Sequence, residues 1–414
     1  MGEQTIGMLL RDLRSRAGRS QAQQAEVLSL QAGQVVTRHE VSRWEREVRL
    51  LTPFWQKHYA ASLNVPAEQL RRAVAATKAQ RRQREDPVRR RQFISVMAGL
   101  ALPAAEGLPS RVGQADVDRL ARHTARLRRM DNFMGGGDTY GVYAQEAQRT
   151  ARLLSESGHS DTVGRALRSL LAEQTQLAGW AAFDAGDHTT ARNHYRDSYR
   201  AAEEAGDDVL AGNALAFTAY QQTVTSSRGA DVAEASWEKA RRAATPRVAA
   251  LLLERSAWAH AVAGDARAAD RGLAQAREAL QRHDDRPEPD WVFWVDDREL
   301  DIMAGRCWTE LHRPLRAVPV LHDVLNRYDD THARHKALYL TWLASSYLQA
   351  HEVEQAAATL GRAFDLAAGV ASVRPSARIM AEARRLEPHR RVPEVTEVLD
   401  RIDQGVVADS SHAR

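Results

Sequence analysis

The first 75 residues alternate between short apolar-periodic segments and breaks. In IGMLLRDLRSRA (residues 6–17), Ile6, Leu9, Leu10 and Leu13 share one face at helical spacing, and Gly18 ends the helix. Ser20 is placed to cap QAQQAEVL, whose Ala22, Ala25 and Leu28 form a narrow apolar stripe. The Gly-containing link SLQAGQVV follows, and Thr37 is placed to cap a third helix, RHEVSRWERE. There Val41 and Trp44 face a core, which leaves Arg38, His39, Ser42, Arg43 and Arg46 on the opposite side. Residues 54–63 and 67–74, separated by Val65-Pro66, supply two more short helices. The pattern predicts a compact all-α unit over residues 1–76.

Residues 113–405 are almost continuously helix-periodic and carry a degenerate repeat. A small residue is followed by alanine twelve later, a large apolar residue four after that, and a small one three further on. The sets are Gly179/Ala191/Tyr195/Ser198, Ala257/Ala269/Leu273/Ala276, Gly305/Ala317/Leu321/Val324 and Ala344/Ala356/Leu360/Ala363, with a weaker copy at Ala233/Trp237/Ala240. Small residues let antiparallel helices approach closely while the large one fills the gap to the next pair. Gly186-Asp187 and Gly264-Asp265 mark turns between paired helices. This is the layout of an α-solenoid of five or six helix pairs, and it resembles tetratricopeptide repeats with a looser period than their usual ~34 residues.

Between these parts, residues 77–112 are read as an Arg-rich linker followed by a tethering helix, and residues 406–414 as a disordered tail. The stretch RRRQFISVMAGLALPAA (residues 89–105) imitates a twin-arginine export signal, but 88 residues with their own helical pattern precede it. A tether is therefore the expectation. Gly135-Gly136-Gly137 reads as a hinge before a helix starting near Thr139.

Charge separates the two ends. Residues 1–91 hold 18 Lys+Arg against 9 Asp+Glu, and residues 92–414 hold 40 against 45, so a basic N-terminal part precedes a mildly acidic remainder. That asymmetry points to a polyanion partner for the N-terminal part. With only four lysines, arginine abundance itself reflects a compositional bias. One cysteine, Cys307, leaves no intramolecular disulfide and no multi-cysteine metal site, as expected in a reducing cytoplasm. No apolar run reaches the ~18 residues that suggest a membrane span, so no membrane partner is expected.

The order I-G-x-x-L-R-x-L-R, A-G-x-S-Q and T-x-x-x-V-S-R-W-E, with TPFWQKHYAASLNVPAEQL after it, resembles the phage-repressor-like helix-turn-helix family, the xenobiotic-response-element type. The resemblance covers residues 5–72, with a longer link before the third helix than that family uses. It implies that the Ser20-Gln21 helix lies across the DNA backbone and the Thr37 helix enters the major groove. Carried over by position, Arg38, His39, Ser42 and Arg43 would read bases, while Ser20, Gln21 and Arg46 would contact phosphate. Val41 and Trp44 would anchor the helix, and Glu45 would pair with Arg11.

The full layout is similar to actinobacterial helix-turn-helix regulators with tetratricopeptide-like C-terminal domains, and more distantly to peptide-sensing regulators of Gram-positive bacteria. It implies a homodimer bound to an inverted-repeat operator in double-stranded DNA, and a groove for a peptide or small-molecule effector. Groove positions matching the resemblance are Glu173, Gln176, Trp180, Asp184, Glu254, Trp258, Glu299, Arg306 and Thr341. Trp180 and Trp258 read equally well as filling between helices.

The aromatic run Trp291–Trp294, with Asp296, Asp297, Glu299 and Asp301 behind it, reads as interhelix core beside a solvated acidic face. A DNA-tethered adaptor that binds another protein is the alternative function, and a solenoid-borne hydrolase a further one. No phosphate-binding loop, nucleophile elbow or H-E-x-x-H motif is present, so neither catalysis nor a cofactor is expected. His332 and His335, one turn apart, read as a surface pair.

Overall fold

A computed structural model of the chain describes residues 5–77, apart from 34, 48, 49, 52 and 75, and residues 108–412, apart from 131–134, 329–332 and 368–371. The chain divides into two compact units, Met1–Ala105 and Glu106–Arg414, within the stretch read as a linker. The twin-arginine-like segment, most of the Arg-rich linker and His332 lie outside the described residues. Every regular element among the described residues is helical.

The first unit contains α1 (Ile6–Arg16), α2 (Gln21–Ala32), α3 (Arg38–Glu45), α4 (Pro53–Leu63) and α5 (residues 67–74). α3 packs against both α1 and α2, and α4 packs against α2. Ile6, Leu10, Leu28, Val41, Trp44, Tyr59 and Leu70 close a single core. Trp44 lies 5.3 Å from Trp55 and meets Tyr59 edge-on at 5.7 Å between ring centroids. Such pairs add about 0.5–1.5 kcal/mol beyond the area they bury. At Gly7 a Cβ would lie 2.5 Å from the Glu45 carbonyl, so only glycine lets α1 approach the end of α3 this closely.

Two expectations for this unit change. α2 continues through Ser29-Leu30-Gln31-Ala32 to a left-handed Gly33, so much of the long link is an added helical turn rather than loop. Ser29 Oγ accepts from the Val36 amide at 2.8 Å and ties the remaining loop down. The buried face of α2 is Gln24, Ala25 and Leu28, with Ala22 exposed. Gln24 is buried because its amide donates to Ser62 Oγ at 2.7 Å.

The second unit runs α6 (Gln114–Met130), α7 (Gly136–Glu156), α8 (Asp161–Asp184), α9 (His188–Ala205), α10 (Asp208–Ser226), α11 (Ala230–Ala240), α12 (Pro246–Val262), α13 (Ala266–Gln281), α14 (Asp297–Glu310), α15 (Pro314–Arg327), α16 (Ala333–Gln349), α17 (Val353–Ala367), α18 (Val373–Leu386) and α19 (Pro393–His412). From α8 to α18 consecutive even-numbered helices pack on one another, and α9, α11, α13, α15 and α17 each pack on the even-numbered helix before them. This consecutive two-layer packing is that of a solenoid. α19 runs to His412, past residue 405 where the sequence reading ends the repeats.

The repeat markers sit where helices cross. A Cβ at Gly179 would lie 2.6 Å from the Tyr195 ring, and one at Gly305 would run into Leu321. In the α10/α11 pair the equivalent small position is Gln221, whose amide donates to the His188 carbonyl at 2.6 Å, and this accounts for the weak copy there. Gly186 and Gly264 have φ of 89° and 83°, left-handed values that favour glycine, and Asp187 and Asp265 cap the helices that follow. The helix expected to start near Thr139, α7, begins three residues earlier, at Gly136. This glycine abuts the backbone of Ala181, where no Cβ fits.

The inner row curls until its ends meet. Asp184, fully buried at the end of α8, accepts from the Gly136 amide at 2.9 Å and from Ser372 Oγ at 2.9 Å. Arg334 of α16 lies 3.3 Å from the same carboxylate and Arg374 of α18 lies 3.5 Å from it. On another side, Arg128 and Arg129 of α6 grip Asp290, ahead of α14, at 2.5 and 2.6 Å.

Candidate functional site

Two surfaces carry concentrated chemistry, one in each unit. On α3 the core side holds Val41 and Trp44, while Arg38, His39 and Arg43 are exposed and Ser42 is half-buried. Thr37 and Glu40 form a capping box that fixes where the helix starts. Among the described residues no ion pair or hydrogen bond engages the side chains of Arg38, His39 or Arg43. Ser20 is exposed and caps α2, and Arg46 is exposed with its Nε on the Ser42 carbonyl at 3.3 Å.

Glu45 is buried, but its partner is Arg14 rather than Arg11. Arg14 Nε and Nη2 meet the two Glu45 carboxylate oxygens at 2.5 and 3.0 Å. The hydrogen bond to Glu45 holds the Arg14 guanidinium more firmly protonated than usual. Arg11 reaches only the Glu45 carbonyl, at 3.3 Å. Helical phase explains the choice. Arg14 follows the buried Ile6 and Leu10 at four-residue steps, whereas Arg11 follows Gly7, which abuts the Glu45 backbone. Gln21 Nε2 donates to Glu45 at 2.9 Å, so this side chain braces α2 against α3.

The second surface is a chamber of about 570 Å³ on the inner face of the solenoid. α8 contributes Gln176 and Trp180, α10 Asn213, Phe217 and Tyr220, α12 Leu251 and Arg255, and α14 Glu299 and Arg306. His335 and Tyr339 of α16, Arg374 of α18 and Trp291, Phe293 and Trp294 ahead of α14 also line it, with the charged Arg128, Asp296, Arg298 and Arg327. Of the expected groove set, Gln176, Trp180, Glu299 and Arg306 belong to this lining.

The other expected positions do different work. Asp184 closes the curled row, and Glu173 is gripped by Arg128. Trp258 is buried beneath Arg306, with its ring 4.4 Å from the guanidinium. Glu254 is fully buried, and burial pushes its carboxyl well above the usual range. Thr341 is buried and accepts from Arg378 at 3.0 Å. The Trp291–Trp294 run is only partly core: Trp291 and Val292 are buried, Phe293 and Trp294 are half-buried, and Trp291, Phe293 and Trp294 line the chamber. Glu299 is buried rather than solvated, and His335 is half-buried rather than on the surface.

Tyr220 stands at the centre of the cationic groups. Its hydroxyl accepts from Arg374 at 2.7 Å and from Arg306 at 3.3 Å, and Arg255 lies 5.0 Å over its ring. Burial opposes ionisation, but Arg374, Arg306 and Arg255 together outweigh it and bring the phenol down to about 8. Tyr220 is therefore expected to ionise near pH 8, seen as phenolate absorbance that is missing in Tyr220→Phe. Because the folded value lies below the unfolded value of about 10, ionisation adds stability that grows between pH 8 and 10 and is absent below pH 8. A phenol that titrates only above pH 10 would contradict this arrangement.

Cys307 is buried, which pushes its thiol far above the ordinary range and leaves it inert. Among the described residues, no group of three or more His, Cys, Asp or Glu is placed to hold a metal ion, and no helix is long and apolar enough to cross a membrane. No family model matches the chain, and no curated protein matches it at a significant level.

Proposed function

We propose that the chain is a sequence-specific DNA-binding transcriptional regulator, with α3 as its reading helix and the C-terminal solenoid as its dimerisation and effector unit. The observation that carries this reading is the face of α3. Arg38, His39 and Arg43 stand exposed there, without partners among the described residues, opposite a face anchored by Val41 and Trp44. Arginines without an internal partner keep their donors for guanine O6 and N7. The Glu45 carboxylate, bonded to Arg14 and Gln21, fixes the helix against α1 and α2, so the reading face is preorganised. Ser20 and Arg46 flank it and are assigned to phosphate, and the excess of basic residues over 1–91 supplies long-range attraction.

One such unit spans few base pairs, so a homodimer on an inverted repeat, with half-sites about one DNA turn (~34 Å) apart, is the expected arrangement. Selection of binding sequences from randomised double-stranded DNA by the full chain tests the reading. Enrichment of one inverted repeat supports it, whereas recovery of an unenriched pool overturns it.

A further inference from the structure

We propose that the inner chamber binds a compact organic acid, with its carboxylate at Arg255 and Arg374 and a flat aromatic body along the wall formed by Trp180, Phe217 and Trp294. The inference rests on the proposed function only in calling this ligand the effector; the binding itself stands apart from DNA.

Charge points to an acid. Arg255 has Glu299 and Glu254 at 3.6 and 3.7 Å, too far for a hydrogen bond, and its own hydrogen bond goes to Met303 Sδ at 3.5 Å. Arg374 gives its short hydrogen bond to Tyr220, and its nearest carboxylate, Asp184, is shared with Arg334. Below them Arg306 is buried between the rings of Trp258 and Trp342, at 4.4 and 4.2 Å. No carboxylate comes within ion-pair distance of Arg306 among the described residues, and its Nε makes no hydrogen bond. Arg128, Arg298 and Arg327 line the same chamber, whereas its acidic lining residues are Asp296 and Glu299. Six arginines against two carboxylates leave an excess of positive charge around the chamber, and a ligand carboxylate offsets it.

Shape points to a flat body behind that carboxylate. Trp180 and Phe217 meet edge to face at 5.5 Å and the recess behind them, where Asn213 lies, holds only about 10 Å³, so a flat body lies in the chamber itself, along the wall these rings form with Trp294. Asn213 is 2% exposed there and its Oδ1 makes no hydrogen bond, which leaves an acceptor for an N–H or O–H of the ligand. A volume of about 570 Å³ suits a small molecule. The same chemistry is offered by a free aromatic acid and by the C-terminal carboxylate of a short peptide ending in an aromatic residue.

Calorimetric titration of the full chain separates these cases. The probes are indole-3-acetate, N-acetyl-tryptophan and 4-hydroxybenzoate, each with its neutral amide, and the peptide Ala-Ala-Ala-Ala-Trp. At least one acid is expected to bind about 10-fold or more tightly than its amide, the scale of one charged hydrogen bond. Arg255→Gln is expected to erase that ratio, while Arg255→Lys retains part of it. A ratio measured within one protein is insensitive to a small loss of folding. Binding by the peptide and by none of the free acids places the source in a peptide terminus and upholds the carboxylate site. Equal affinity for acid and amide, or no binding by any carboxylate at millimolar concentration, overturns the proposal. Because no DNA is present, this failure is distinct from failure of the DNA-selection experiment.

Discussion

Asp184→Ala is expected to lower the stability of the C-terminal unit by about 3–5 kcal/mol, the cost of removing one partner from a buried ion pair. Asp184 is fully buried, and the Gly136 amide, Ser372 Oγ, Arg334 and Arg374 converge on it. Without the carboxylate, Arg334 is left buried beside an unfilled space, and α8 loses its hold on α16 and α18. Asp184→Asn keeps the shape and part of the hydrogen bonding, so its cost is expected to be smaller. Hydrogen exchange across the full chain checks this, with faster exchange in α8, α16 and α18 than in α12 or α13. A loss below about 1 kcal/mol would mean that these contacts do not close the row.

Glu45→Ala is expected to have a comparable effect on the N-terminal unit, about 3 kcal/mol or more. The Glu45 side chain is 1% exposed and accepts two hydrogen bonds from Arg14 and one from Gln21. Its loss leaves the Arg14 guanidinium without its carboxylate and frees α2 from α3. Arg11→Ala provides the contrast. That side chain is exposed and reaches only a backbone carbonyl at 3.3 Å, so its expected cost is within about 0.5 kcal/mol. Hydrogen exchange in α1–α3 of the two variants separates the roles. Equal losses would return Arg11 to the place the sequence reading gave it.

The contrast between Arg11 and Arg14 shows where the sequence was legible and where it was not. Local signals did well: Gly18, Thr37, Pro66 and the Gly-Asp turns mark helix ends that depend on a few neighbouring residues. The repeat markers at Gly179, Ala257, Gly305 and Ala344 located four inner helices because close crossing demands a small residue there. Where that slot holds Gln221, α10 went unrecognised as a lining helix, and with it Asn213, Phe217 and Tyr220.

Helical phase was the other source of error. On α12 the expected groove residues were Glu254 and Trp258, but the chamber-facing row is Leu251 and Arg255, one helical turn apart. Contacts over long chain separations were not visible at all. The bond between Asp184 and Ser372 depends on the accumulated curvature of the helix pairs between them, which no short window encodes. The same holds for Arg128 with Asp290 and for Arg374 with Tyr220.

The central claim is that the exposed face of α3 reads DNA. The most direct test is a mobility-shift titration of the full chain and its Arg38→Ala and Arg43→Ala variants, on the selected operator and on a scrambled duplex at one salt concentration. Each variant is expected to lose about 1–3 kcal/mol of discrimination, roughly 5- to 150-fold, while keeping its weak affinity for the scrambled duplex. Retention of full operator preference by both variants would contradict the claim.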